Sequence, residues 1–147
     1  MDSEKKKCLL NALSRIMSDH EICREMRASQ YEEWGRELLL VGDRKGALEN
    51  FRASVEEKEN VLRNRERDTA TQDEREREDV AKKRLELARN YLGIAILEEA
   101  VKRPDEARRA CETALGILAE TNVADVEAQN ESVAIRKETL VLLEKLA

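Results

Sequence analysis

Apolar residues recur in the first third of the chain at intervals of three and four, which is the spacing of amphipathic helices. A first helix is predicted after Ser3, whose hydroxyl can cap it, and it is expected to end near Met17. A second helix is predicted to run to about Val41. The positions expected on its apolar stripe are Ile22, Met26 or Arg27, Tyr31, Trp34, Leu38 and Val41.

Four further helices follow from the same spacing, beginning after Asp43, near Asp79, at Pro104, and after Asn122 or Asp125. Six helices joined in this way make three antiparallel hairpins. The expected stripes are Ala47, Phe51, Val55, Lys58 and Leu62 in the third helix; Ala81, Leu85, Ala88, Leu92, Ala95 and Glu99 in the fourth; Ala107, Cys111, Ala114 and Ile117 or Leu118 in the fifth; and Val126, Val133, Leu140 and Leu143 in the sixth, with Ile135, Leu142 and Leu146 alongside.

Local signals place the helix ends. Ser18 and Glu21 have the spacing of a capping box, in which each side chain accepts from a free backbone N–H. Gly42 supplies a stop for the second helix, and Asp43 can cap the third. Pro104 suits the first turn of a helix because that turn leaves its N–H groups unpaired anyway.

One interval breaks the apolar pattern. Residues 63–79 are almost wholly polar and hold five Arg and seven Asp plus Glu. Nothing in this interval breaks a helix, and Arg and Glu are good helix formers. We therefore expect a charged extension of the flanking helices, frayed around 68–72, with a solvated loop as the alternative.

Composition supports a helical protein. Among 147 residues there are one Pro and five Gly, 40% are charged and 3% are aromatic. Lys and Arg number 27 against 32 Asp and Glu, and this formal charge of −5 disfavours nucleic acid as a general partner. Three cysteines without Cys-x-x-Cys spacing favour free thiols and a cytoplasmic location. No apolar run is long enough to span a membrane, and the N-terminal residues do not have the apolar core of a secretion signal.

Catalytic chemistry has little support in the sequence. His20 is the only histidine, so a site with two histidines cannot form within the chain. The five glycines are scattered, and none of them follows a predicted strand in the manner of a phosphate-binding loop. We predict no enzyme activity, no cofactor and no metal.

The run from Tyr31 to Ser54 has small and large residues where two antiparallel helices must nest. It resembles a tetratricopeptide repeat, whose signature positions are occupied here without a gap by Tyr31, Trp34, Gly35, Leu38, Ala47, Phe51 and Ser54. A second, partial match has Arg89 where an aromatic residue is usual, and two extra residues after Gly93. Its matching positions are Leu92, Gly93, Ile96, Ala107, Cys111 and Ala114.

The resemblance implies an all-α fold in which antiparallel helical hairpins stack as a short array between capping helices. The chain is then a single helical-repeat domain, 1–147. Its parts are N-terminal capping helices at 1–30, a first repeat at 31–62, the charged extension or loop at 63–79, a second, degenerate repeat at 80–121 and a C-terminal capping helix at 122–147.

The resemblance also implies a concave surface, lined by the first helix of each pair, that binds a peptide or helix of a partner protein. The residues expected to flank it are Glu32, Arg36, Arg89 and Asn90. Some members of the family hold an acidic tail with Lys and Asn, and Glu32 and Arg36 depart from that pattern. Trp34 and Tyr31 are expected to pack in the core rather than to anchor a partner.

The predicted function is a non-enzymatic, cytoplasmic adaptor or scaffold that binds another protein, without nucleic acid or membrane. The alternative is a structural subunit, a helical bundle or coiled coil in a larger assembly. Sustained apolar heptads are missing from 63–79, which weakens this alternative. Nothing in the sequence specifically indicates a homo-oligomer, although one is compatible with it.

Overall fold

The computed structural model describes residues 3–17, 21–67 and 73–147, with the side chains of all of these except 13–17. These ranges contain helices and turns and no strand, so the predicted all-α class is confirmed. The helices are α1 (Ser3–Met17), α2 (Glu21–Leu40), α3 (Arg44–Glu66), α4 (Glu74–Ala100), α5 (Pro104–Ala119) and α6 (Val126–Leu146).

The chain divides into two compact units, Met1–Val61 and Leu62–Ala147. The first contains α1, α2 and most of α3, and the second contains the end of α3 with α4, α5 and α6. The stacking of hairpins into one array, with the domain limits expected from the sequence, stays a prediction.

The turn between α2 and α3 forms as its sequence predicts. Gly42 has a φ of 82°, which only glycine adopts without strain, and its N–H donates to the Leu39 carbonyl at 3.1 Å. The Asp43 N–H donates to the Leu38 carbonyl at 2.9 Å, which completes a Schellman motif. The Asp43 carboxylate then accepts from the Gly46 N–H at 2.9 Å and caps α3.

Two other helix starts also follow the local signals. Pro104 is the first residue of α5. Of the two caps considered for the last helix, Asp125 is the one used, and its carboxylate accepts from the Glu127 N–H at 3.0 Å. The Ser18 member of the expected capping box and the neighbouring His20 lie outside the described residues.

The charged interval is helical on both of its sides. α3 continues to Glu66, and α4 begins at Glu74, one residue after its cap Asp73. Ion pairs join the two helices here, between Arg65 and Asp79 and between Glu66 Oε1 and Arg84 Nη2 at 2.7 Å. The predicted helical extension is confirmed on these flanks, while the expected fraying at 68–72 lies outside the described residues.

The stripe predicted for α2 is wrong at Ile22 and Val41, which are exposed, and Cys23 is buried beside Ile22. Of the alternatives Met26 and Arg27, the structure buries Arg27 and exposes Met26. Arg27 can be buried because Glu57 neutralises it, with 3.1 Å between its Nη2 and Glu57 Oε2.

The core of the second unit lies mainly between α4 and α5. The α4 stripe is buried as predicted from Ala81 to Ala95, although Glu98 rather than Glu99 is its buried C-terminal member. On α5 the buried positions include Ala107, Cys111, Ala114 and Leu118, in agreement with the sequence pattern.

The main stripe predicted for α6 is wrong, because Val126, Val133 and Leu140 are 68%, 67% and 50% exposed. Ile135 and Leu142, expected alongside it, are buried together with Ala128 and Thr139. Ala128, Ile135 and Leu142 also repeat every seven residues, and their offset of two residues from the predicted stripe turns them by about 200° around the helix. Thr139 fits the buried side because its hydroxyl donates to the Ile135 carbonyl at 2.7 Å.

Candidate protein-binding surface

In the first repeat-like segment α2 and α3 approach closely at Gly35. Gly35 of α2 and Ala47 of α3 are both buried. A Cβ added at Gly35 would lie 2.7 Å from Phe51 Cε1 of α3, closer than carbon atoms approach one another. A larger residue at position 35 would therefore force the Phe51 ring to move.

Two further contacts order the same hairpin. The Ser54 hydroxyl of α3 donates to the Ala28 carbonyl of α2 at 2.8 Å, in a buried site. Trp34 is a core residue, as predicted, and meets the half-buried Tyr31 edge to face with 5.7 Å between ring centroids. The Ser54 hydrogen bond fixes how α2 lies against α3, and the burial of Trp34 marks the inward side of α2.

The second partial match packs differently. Leu92, Ala107, Cys111 and Ala114 are buried, in keeping with their positions in the pattern. Gly93 and Ile96 are exposed, and nothing among the described residues lies within 4 Å of a Cβ added at Gly93. The glycine contact of the first segment is thus not repeated at Gly93.

Glu32 and Arg36, two of the predicted binding residues, lie one turn apart on α2. The Glu32 carboxylate forms an ion pair with Lys58 of α3 and lies 3.8 Å from Arg36 Nη1. The Arg36 side chain is 65% exposed, whereas that of Glu32 is 20% exposed. Glu32 therefore serves mainly to join α2 to α3, and the Arg36 guanidinium is the group that remains open to a ligand.

Arg89 and Asn90, the other two predicted residues, lie on α4 in the second unit. Arg89 forms an ion pair with Glu131 of α6. Asn90 is half-buried and also interacts within the protein. Arg89 thus connects two helices of its own unit, which sequence reasoning did not anticipate.

The sequence pattern also missed exposed apolar residues on α2. Ile22, Met26 and Leu40 are 57%, 49% and 88% exposed. Together with Arg36 they lie within about 80° around the helix, given about 100° per residue. We call these four residues, Ile22, Met26, Arg36 and Leu40, the outer face of α2. In the sequence, the outer face could be recognised as a set of apolar residues that lies next to the buried stripe and does not belong to it.

A lysine of α1 contacts the same side of α2, because Glu33 lies within the arc of the outer face and Glu37 lies just beside it. Lys6 Nζ lies 3.0 Å from Glu33 Oε1 and 3.1 Å from Glu37 Oε1. The hydrogen bond from Lys6 holds the pKa of the Glu33 carboxyl below its ordinary value, and hydrogen bonds to Glu33 and Glu37 raise the pKa of Lys6. These pairs attach α1 to the C-terminal half of α2.

Polar groups also line a cleft in the second unit. A cleft of about 830 Å³ lies between the first turn of α4 and the start of α6. Its lining residues are Asp73, Glu74, Arg75, Glu78, Asp79, Lys82, Ala124 and Asp125. Within it the Ala124 N–H donates to Glu78 Oε2 at 3.4 Å, and Lys82 Nζ lies 3.8 Å from Asp125 Oδ2.

Among the described residues, no group of three or more His, Cys, Asp or Glu side chains is arranged to hold a metal ion. The helices in the described ranges are also too short or too polar to cross a membrane. Comparison of the chain with family models, curated proteins and solved structures finds no match.

Proposed function

We propose that the protein is a non-enzymatic, cytoplasmic adaptor, a short array of tetratricopeptide-like hairpins that binds a helix or peptide of a partner protein. The observation that carries the proposal is the outer face of α2, where three large apolar side chains and a guanidinium stand exposed on one side of a helix. In a repeat-like hairpin this first helix is the one expected to line the binding surface.

The chemistry of the outer face suits a protein ligand. Ile22 and Met26 are one turn apart, and Leu40 lies about 21 Å from Met26 along the helix at about 1.5 Å per residue. Anchors at such intervals fit the apolar side of a partner helix or an extended segment. Arg36, between the two apolar ends, can donate two parallel hydrogen bonds to a carboxylate.

Burial supplies the driving force in this proposal. Removing a large aliphatic side chain from water stabilises a complex by about 1.5–3 kcal/mol before the costs of association. Three such side chains and one charge-assisted contact are enough for a weak to moderate complex. The sequence of the partner is not constrained beyond an apolar stripe with a nearby Asp, Glu or C-terminal carboxylate.

The test is quantitative affinity capture with outer-face variants. We expect Met26→Glu and Arg36→Glu to lose the same bound proteins, because the first places a charge in the apolar contact and the second reverses the guanidinium. Arg44→Glu is the matched control, since it makes the same charge change at an exposed position of the same unit, on α3 instead of α2. Circular dichroism would verify that each variant is folded.

A photoreactive amino acid at position 26 would show directly whether this position contacts the partner. On illumination it should form cross-links to the proteins that Met26→Glu fails to capture. The same amino acid at position 44 should not form cross-links to these proteins. If both outer-face variants retained every partner, the outer face of α2 would not be the binding surface.

A further inference from the structure

The outer face of α2 is interrupted at its midpoint by a contact from α1. Glu33 is seven residues from Met26 and seven from Leu40, so it lies on the line between them, about 10.5 Å along the helix from each. Lys6 Nζ of α1 lies 3.0 Å from Glu33 Oε1. A partner that contacted Met26 and Leu40 together would therefore have to pass over the place where Lys6 lies.

The Lys6 side chain takes up space at this midpoint. It is only 11% exposed, although the carboxylates that it contacts, those of Glu33 and Glu37, belong to side chains that are more than half exposed. The Lys6 stem is thus covered by protein, while both carboxylates stay accessible to a competing group. A partner can reach Glu33 fully only when Lys6 has moved away.

The contact is not strong enough to hold α1 permanently in place. Of residues 3–12, whose side chains are described, only Leu10 is buried and Lys6 is half-buried. The two ion pairs of Lys6 end at largely exposed carboxylates, where water and salt screen the attraction. This part of α1 therefore gains little free energy by lying on α2.

The hairpin that carries the outer face has its own contacts. Those described above join α2 to α3 directly and do not involve α1. They are the packing of Phe51 on Gly35, the hydrogen bond from Ser54 to the Ala28 carbonyl, and the ion pairs of Arg27 with Glu57 and of Lys58 with Glu32. α1 can therefore leave α2 while the hairpin keeps its structure.

We infer that α1 is an autoinhibitory helix, which covers the middle of the outer face and must move away before a partner binds along the whole face. The inference rests on the proposed function, because it concerns the regulation of the same surface. In the closed form Lys6 separates Met26 from Leu40, and in the open form the two belong to one continuous surface. The apparent affinity for a partner is then reduced in proportion to the fraction of open molecules.

Hydrogen exchange of the backbone amides tests whether α1 opens by itself. In the unaltered full chain, amides of α1 should exchange faster than those of α3, because α1 opens while the hairpin stays folded. Lys6→Glu should speed the exchange of α1 about two- to thirtyfold, as expected for the loss of two largely exposed ion pairs. The exchange of α3 should not change.

Two further variants control this experiment. Lys7→Glu makes the same charge change at the next, exposed position and should not speed the exchange of α1. Addition of Glu33→Lys and Glu37→Lys to Lys6→Glu restores opposite charges and should slow the exchange again. If α1 exchanged as slowly as α3 in the unaltered chain, α1 would open only when the hairpin unfolds, and the inference would be overturned.

Binding measurements test whether α1 competes with a partner. The probe is one protein that the unaltered chain captures and Met26→Glu does not, purified and titrated against each variant. Lys6→Glu should lower its dissociation constant by the factor by which it speeds the exchange of α1, because both follow the open fraction. Lys7→Glu should leave the dissociation constant unchanged.

The two proposals fail in different ways. An unchanged dissociation constant in Lys6→Glu, with binding still lost in Met26→Glu, would overturn the autoinhibition and leave the adaptor proposal standing. If Met26→Glu retained every captured protein, the outer face would not be the binding surface, and the autoinhibition would fall with it.

Discussion

At the scale of single residues, the same amino acid has opposite roles in the two repeat-like segments. Gly35 is buried with a ring against it, and Gly93 is exposed with open space around its Cβ position. Both residues occupy the same place in the sequence pattern, so the pattern alone does not distinguish them. The difference arises because Phe51 packs over Gly35, while Gly93 lies beside the buried line of Leu92 and Ala95.

This difference predicts opposite effects of one substitution. Gly35→Ala should lower the free energy of unfolding by about 1–3 kcal/mol, because the new methyl group overpacks the contact with Phe51. Gly93→Ala should raise it by about 0.5–1 kcal/mol, because alanine restricts the unfolded chain and favours a helix. Thermal or urea unfolding of the two variants measures both values. Equal effects of the two substitutions would show that the Gly35 contact is not tight.

At the scale of elements, helix ends were predictable from sequence and helix rotations were less so. The ends depend on neighbours, such as Gly42 with Asp43, or Pro104 as a first residue. The rotation of α6 depends on distant contacts, because its two apolar sets fit opposite sides of the helix equally well. On α2 the sequence does not decide between Met26 and Arg27, because a buried Arg27 is acceptable only when Glu57 is near, and the sequence does not place them together.

The attachment of α1 to α2 has a predictable pH dependence. The pKa of Glu33 is lowered in the folded protein, so its stabilising contribution is present above the ordinary value of 4.5 and is lost as the pH falls through the lower folded value. The pKa of Lys6 is raised, so its contribution is present below the ordinary value of 10.5 and is lost as the pH rises through the higher folded value. The contact should therefore hold fully between these two ordinary values.

A lysine substitution tests this assignment. In Lys6→Met, the pKa of Glu33, followed by NMR of its carboxyl carbon, should rise towards its ordinary value because the hydrogen bond that stabilises the charged form is lost. Lys7→Met removes the same charge from the next, exposed position and should leave that pKa nearly unchanged. An unaltered Glu33 titration in Lys6→Met would contradict the contact.

At the scale of the whole molecule, composition and periodicity were sufficient for the all-α class and for the six helices of the described residues. They were not sufficient for the binding residues. Glu32 and Arg89 were selected for their positions in a repeat pattern, but each forms an ion pair with another helix. Whether a charged side chain stays exposed, as that of Arg36 does, depends on which residues the neighbouring helix places beside it. This depends on the tertiary structure and cannot be read from the local sequence.

The fold should also sort the three free cysteines by reactivity. Cys8 is exposed, whereas Cys23 and Cys111 are buried, and burial raises the pKa of the Cys111 thiol. At pH 8 iodoacetamide should modify Cys8 first, because the reagent cannot reach the buried thiols of Cys23 and Cys111. The raised pKa of Cys111 also lowers the fraction of its reactive thiolate form. Mass spectrometry of peptides measures the order, and denaturant should make all three sites react. Modification of Cys111 as rapid as that of Cys8 in the native protein would contradict this packing.

The Ser54 hydroxyl donates to a backbone carbonyl of α2 and not to a side chain. Substitutions at the acceptor position 28 and at the donor position 54 should therefore be tolerated to different degrees. Any small residue at position 28 presents the same carbonyl, so Ala28 can be exchanged without loss of the bond. Position 54 must keep a short hydroxyl, because no other side chain of that size donates there. The side-chain requirement of this hydrogen bond is thus encoded on α3 only, and a slide by one turn, about 5.4 Å, would remove the acceptor from reach.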